Sequence, residues 1–284
     1  MPVVTLARAA TLELSAASGL ICRRGELWVV ADDELELHRY SLAGDWVGRT
    51  ALRSGRLPEE ARARKRAKPD YEALVELPDG SVLALGSCST KERERGVRLD
   101  GERTVEVDLA PLALQLAGAV DGLNIEGAAV TDGGLFLFSR KTGLRGTNAM
   151  VELDLRAVAR ELASSSPRLE AASVRAVHRV ELGEIEGVAL GFTDATGREG
   201  RMVFSAAAER TDDPVEDGFC TGSVLGVIDR SGRVLHQEVV SPRSKIEGIA
   251  FGPEGELFAV ADADERRSKA PLLRGRFPEP ERFR

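Results

Sequence analysis

Short apolar runs separated by glycine turns recur along the chain. Each is preceded by another apolar run that opens, in most copies, on a carboxylate. The fullest copy is Lys245-Ile246-Glu247-Gly248-Ile249-Ala250-Phe251. Glu184-Ile185-Glu186-Gly187-Val188-Ala189-Leu190 and Asn124-Ile125-Glu126-Gly127-Ala128-Ala129-Val130 share its form. Asp70-Tyr71-Glu72-Ala73-Leu74-Val75 is a looser copy and Ala17-Ser18-Gly19-Leu20-Ile21 a degenerate one. Turns such as Arg24-Gly25, Asp79-Gly80, Asp132-Gly133-Gly134 and Glu254-Gly255 follow, then runs such as Leu27-Trp28-Val29-Val30 and Leu135-Phe136-Leu137-Phe138. Asp-Gly and related turns between short apolar runs predict β-hairpins. The near-continuous apolar character predicts strands covered on both faces.

The anchor positions Ser18, Glu72, Glu126, Glu186 and Glu247 are spaced by 54, 54, 60 and 61 residues. A four-stranded propeller blade takes about 40 to 50 residues, so each interval holds one blade and a modest insertion. Third strands are expected at residues 35–42, 104–108, 149–153, 223–228 and 271–276, and fourth strands at 46–52, 174–182 and 234–240. Pro111 and Asp154 mark helix starts, predicting short helices over 109–118 and 155–163. The last repeat lacks a fourth strand and the N-terminus has a spare one at 3–14, which is expected to complete the last blade and remove the exposed edges. The expectation is an all-β, five-bladed β-propeller closed by the N-terminal strand, with residues 1–284 as one domain; six blades is the alternative.

Composition narrows the partners. A net charge of −7 and a pI near 5.3 argue against a nucleic-acid partner. No uninterrupted apolar stretch reaches membrane-spanning length and no secretory signal is visible, so a cytoplasmic protein is expected. Cys22, Cys88 and Cys220 lie far apart and read as reduced thiols. The charged stretch 59–68 reads as a solvated loop or short helix, and 91–95 as solvated.

The propeller geometry places the candidate chemistry. The innermost strand of a blade opens with the anchor carboxylate, and the second strand returns to the same face. The residues after the second strands are polar: Asp32-Asp33, Ser87 to Lys91, Ser139-Arg140-Lys141, Glu209-Arg210 and Asp262-Ala263-Asp264. Glu72, Glu126, Glu186 and Glu247 would then crowd one rim. Like charges held together need a bound cation, partial protonation, or pairing with bases. Lys68, Lys245 and Arg140 are the bases on offer, and Asn124 adds an oxygen suited to a hard cation such as Ca²⁺. A purely structural role for each Glu-Gly is the competing view, with glycine allowing close strand approach. The motifs of a nucleophile elbow, a zinc protease, a P-loop or a dinucleotide fold are missing, and His38, His178 and His236 fall in predicted outer strands.

Lys68-Pro69-Asp70-Tyr71-Glu72-Ala73-Leu74, Leu85-Gly86-Ser87, Leu123-Asn124-Ile125-Glu126-Gly127, Ser139-Arg140 with Asn148, and Lys245-Ile246-Glu247-Gly248 with Asp262 and Asp264 together resemble an uncharacterised bacterial propeller family. The chain is more distantly similar to phytase-like, esterase-like and lactonase-type propellers, which use channel carboxylates and often Ca²⁺. The resemblance implies a hydrolase of phosphate or ester substrates. Glu72, Glu126 and Glu247 would hold Ca²⁺, Glu186, Arg140 and Lys245 would serve catalysis, and Lys68, Asn124, Asn148, Asp262 and Asp264 would contact a small or anionic ligand. Lys68 and Lys245 depart from the lactonase pattern and could replace the metal charge. A non-catalytic ligand- or protein-binding module is the alternative.

Overall fold

The structure, a computed structural model, describes residues 3–141, 147–210, 219–261 and 268–278. It is all-β. After β1 (Val3–Thr11), the chain forms three four-stranded antiparallel sheets in strict succession. The first holds β2 (Ala17–Arg23), β3 (Glu26–Ala31), β4 (Glu36–Ser41) and β5 (Trp46–Ala51). The second holds β6 (Tyr71–Glu76), β7 (Val82–Gly86), β8 (Arg95–Asp100) and β9 (Arg103–Asp108). The third holds β10 (Ile125–Thr131), β11 (Gly134–Ser139), β12 (Asn148–Asp154) and β13 (Val174–Val180).

The rest is one continuous nine-stranded sheet. It takes in β14 (Glu184–Ile185), β15 (Val188–Arg198), β16 (Arg201–Arg210), β17 (Phe219–Ile228), β18 (Val234–Ser241), β19 (Ile246–Phe251), β20 (Leu257–Ala261) and β21 (Pro271–Gly275). β1 lies inside it, parallel to β18 through Val3↔Val239 and antiparallel to β21 through Leu6↔Gly275. The N-terminal strand thus pairs with the last hairpin, as the spare strand predicts, and also joins that hairpin to the preceding one.

β2, β6, β10, β15 and β19 pack side by side in a closed cycle, with β19 returning to β2. Close approach requires glycine: a Cβ on Gly127 would lie 2.6 Å from the Ala195 nitrogen of β15, and one on Gly248 would overlap the Ser18 carbonyl of β2. Apolar side chains fill the spaces between sheets. Phe138, Phe192 and Phe204 stack edge to face at 5.1 and 5.3 Å between the third sheet and the β15–β18 region, all buried.

Two expectations need correction. Residues 104–108 are the outermost strand of the second sheet, because β8 precedes them across the Asp100–Arg103 turn. The charged run 91–95 hid that strand: Arg95, Arg98 and Asp100 alternate with Gly96, Val97 and Leu99, a half-exposed pattern weaker than the buried runs. The second correction is the Glu186 anchor. Glu186 and Gly187 both have positive φ, 51° and 77°, and form the tight turn between β14 and β15. A Cβ on Gly187 would meet nothing within 4 Å. The inner-strand position is reached later, at Thr193. The stretch 59–68 forms the short helix α1 (Ala61–Ala67), and the other expected helices appear as α2 (Ala110–Leu116) and α3 (Leu155–Leu162). Cys22, Cys88 and Cys220 are free thiols, and no helix among the described residues is long and apolar enough to cross a membrane.

Candidate functional site

A β-bulge sets each anchor carboxylate at one end of the strand cycle. The ladder register slips at Tyr71/Ala73, Ile125/Gly127 and Ile246/Gly248, so Glu72, Glu126 and Glu247 are the extra residues. An extra residue leaves the pairing pattern and re-aims its side chain. The same slip on β15 falls at Phe192/Asp194 and on β2 at Ala17/Leu20, so Thr193 and Ser18-Gly19 occupy the remaining two places.

One half of the mouth is built around Lys68. Its ammonium bonds Asp32, at the end of β3, and Asp70 Oδ1 at 2.8 Å. Asp70 is buried; its Oδ2 accepts from Arg93 at 2.8 Å and from Ser87 Oγ at 2.6 Å. Burial opposes the Lys68 charge, but Asp32 and Asp70 outweigh it and hold its pKa above the usual range. Burial also pushes Asp32 up to about 6 against the pull of Lys68. Glu72 stands beside this group with no cation bonded to it among the described residues, and burial followed by the charges of Asp70 and Glu126 raises its pKa well above the carboxylate range.

The other half is built around Lys245, whose ammonium bonds Glu209 at 2.6 Å and Glu247 at 2.7 Å. Arg140 pairs with Glu209 as well. Burial would raise Glu209, but Arg140 and Lys245 hold it below its usual value. Burial pushes Glu247 up to about 7, with Lys245 opposing and Glu209 adding. Glu126, only 7% exposed, takes a hydrogen bond from the Asn124 amide and has no bonded cation among the described residues; burial pushes it up to about 8, with Arg140 opposing. Asp194 on β15 is fully buried. Its Oδ2 accepts the Ile249 amide of β19 at 2.7 Å, tying two inner strands together.

The structure therefore gathers Lys68, Glu72, Asn124, Glu126, Arg140, Lys245 and Glu247. It does not gather Glu186, which is 52% exposed at its turn and pairs with Arg243. Asn148 is buried and occupied with backbone, accepting from the Lys141 amide at 3.0 Å and donating to the Leu190 carbonyl at 2.8 Å. Asp262 and Asp264 lie outside the described residues. Asp32, Asp70, Arg93, Glu209 and Asp194 complete the cluster. The polar ends of the second strands point to Asp32 and Glu209; the reach of Arg93 from the 91–95 run has no local signal.

Oxygens of Asp32, Asp70 and Glu72 all lie within 4.8 Å of one another, close enough to share a cation, but Lys68 already bonds two of the three residues. A second group, Glu34, Glu36 and His38, sits on and before β4, with His38 Nε2 2.6 Å from Glu34 and Arg49 2.9 Å from Glu36. The opposite end of the strand cycle is a cavity of about 210 Å³ with lining residues from every inner strand, among them Cys22, Val75, Ala129, Gly197 and Phe251.

Successive antiparallel sheets around a closed cycle of inner strands define an all-β, propeller-like protein. The chain belongs to a family of unknown function, DUF6929, whose pattern matches residues 13–276. None of the curated proteins matches it. Among solved structures it is similar to Myxococcus xanthus glutaminyl cyclase, with 13% identity and a TM-score of 0.51 over 97% of this chain and 99% of that one. It is also similar to a candidate glycoside hydrolase from Parabacteroides distasonis, with 10% identity and a TM-score of 0.55 over 94% of this chain and 88% of that one. At these identities the likeness concerns the fold.

Proposed function

We propose that the sheets form a five-bladed propeller closed by β1, and that the carboxylate-lined mouth of its channel is the site of a small-molecule hydrolase. The observation that carries this is a mismatch of charge. Asp32, Asp70, Glu72, Glu126, Glu209 and Glu247 face Lys68, Arg93, Arg140 and Lys245 among the described residues, and the two carboxyls with no bonded cation are Glu72 and Glu126. Two interacting carboxyls that cannot both ionise at neutral pH supply a general acid and a general base from one pair. In such a pair one carboxyl keeps its proton and acts as the acid, while the other, once ionised, serves as the base toward water.

The ion pairs alter the substrate expectation. Arg140 and Lys245 are held by Glu209 and Glu247, so a phosphate would meet no unengaged cation there. A neutral or cationic substrate suits the mouth better than an anionic one. Calcium is the second form of the proposal, supported by the same excess of carboxylates. Glu247 is taken by Lys245, which among the described residues leaves Glu72, Glu126 and the Asn124 carbonyl, few protein oxygens for an ion that takes roughly six to eight.

A panel of ester, amide and glycoside substrates tests the enzyme reading. Hydrolysis that disappears in a folded Glu126→Gln variant is expected. Silence across the panel, with ligands still raising the melting temperature, would make the mouth a binding module instead. Calorimetric titration of Ca²⁺ into chelator-treated protein decides the metal form.

A further inference from the structure

Two lysine ammonium groups in the mouth have the same arrangement. Lys68 bridges Asp32 at the end of β3 and Asp70 before β6; Lys245 bridges Glu209 of β16 and Glu247 of β19. Each joins carboxylates from neighbouring parts of the strand cycle. A third carboxylate pair, Glu72 of β6 and Glu126 of β10, also comes from inner strands that pack together, and the charge of Glu126 bears on Glu72. Among the described residues, no ammonium bonds this pair.

The sequence positions explain the difference. Lys68 stands two residues before Asp70, and Lys245 two residues before Glu247. Asn124 stands two residues before Glu126, in an Ile-Glu-Gly context shared with Lys245. Asn124 gives Glu126 a neutral N–H donor where the other sites provide a charge.

We propose that the ligand of the mouth carries an organic ammonium or guanidinium group, which lies between Glu72 and Glu126 as a lysine lies between the other two pairs. The proposal rests on the mouth being the functional site and names the class of its substrate. An ammonium has three donors and no acceptor, and charge-assisted bonds to carboxylates are among the stronger hydrogen bonds. Glu126 is nine-tenths buried, so water compensates its charge poorly and a bonded cation has much to offset.

The test supplies the missing charge from the chain itself. Asn124→Lys is expected to seat its own ammonium between Glu72 and Glu126, raise the melting temperature, and block added amines. Butylamine and agmatine are titrated calorimetrically into the full chain, with butyrate and CaCl₂ in parallel. Saturable amine binding, weakened at least tenfold in Glu72→Gln and in Glu126→Gln and lost in Asn124→Lys, supports the proposal. Calcium or butyrate binding without amine binding overturns it, as does an Asn124→Lys protein that binds amines as the wild type does. Asn124→Lys alone remains decisive if the glutamine variants do not fold. Hydrolysis of neutral substrates that amines do not inhibit would sink this inference and keep the enzyme; amine binding with no hydrolysis would do the reverse.

Discussion

Glu72, Glu126 and Glu247 reach the mouth because each is one residue too many for its ladder, and the chemistry then depends on which of them finds a cation. Glu126 and Glu247 are pushed up to about 8 and about 7, above the unperturbed 4.5, so the folded protein holds these protons more tightly than the unfolded chain. Their stabilisation is complete below the unperturbed value and is lost as pH rises through 7 to 8. The melting temperature is expected to fall between about pH 5 and about pH 9, and Glu126→Gln to flatten that fall, in scanning calorimetry at constant ionic strength. Removing one member of a buried pair is worse than protonating it. Lys245→Ala leaves Glu209 and Glu247 facing each other and should cost about 3–5 kcal/mol in urea unfolding, with part recovered in Lys245→Ala/Glu247→Gln.

Strands of this protein differ in how visibly they are written. Buried inner strands are near-continuous apolar runs, whereas β8 alternates and carries Arg95, Arg98 and Asp100, so it merges with the charged run before it. Glycine has two meanings in the same Glu-Gly wording. Gly127 and Gly248 permit strand contact, while Gly187 closes a turn at positive φ. Gly248→Ala should therefore force the β19–β2 contact apart at a cost of about 1–3 kcal/mol, and Gly187→Ala should cost about 1 kcal/mol through backbone strain alone. Denaturant midpoints of the two variants check the order. The aromatic stack makes a matching demand: Phe192→Ala opens a cavity between sheets and is expected to lose about 3–5 kcal/mol.

For the molecule as a whole, β1 bridges β18 to β21 and carries the only parallel pairing between named strands among the described residues. Deleting residues 3–11 should expose both edges and uncouple the last hairpin. Hydrogen exchange is expected to show lost protection at residues 246–261 and 268–275 before the first three sheets, and preserved protection there would mean that the strand cycle closes without β1. The two ends of the cycle differ in charge density. Charged groups crowd the end where the anchor bulges fall, and the 210 Å³ cavity at the other end mixes small and apolar residues such as Ala129 and Gly197 with Glu76 and Thr196.

Much of this was written locally. Apolar runs, Asp-Gly turns, the caps of α2 and α3, and the spare N-terminal strand depend on neighbouring residues, so the sequence alone determined an all-β chain of repeated hairpins with its anchor carboxylates at one end. Only tertiary structure decided which carboxylates share a cation. Lys68 meets Asp32 from 36 residues away and Arg140 meets Glu209 from 69, and nothing in a local pattern encodes those partners. Glu186 fails as an anchor for the same reason: a Glu-Gly pair fits a bulge or a turn equally well, and the ladder register across β15 and β16 makes the choice. The repeat thus fixes where negative charge collects, and the fold determines that, among the described residues, Glu72 and Glu126 are the anchor carboxylates without a bonded cation.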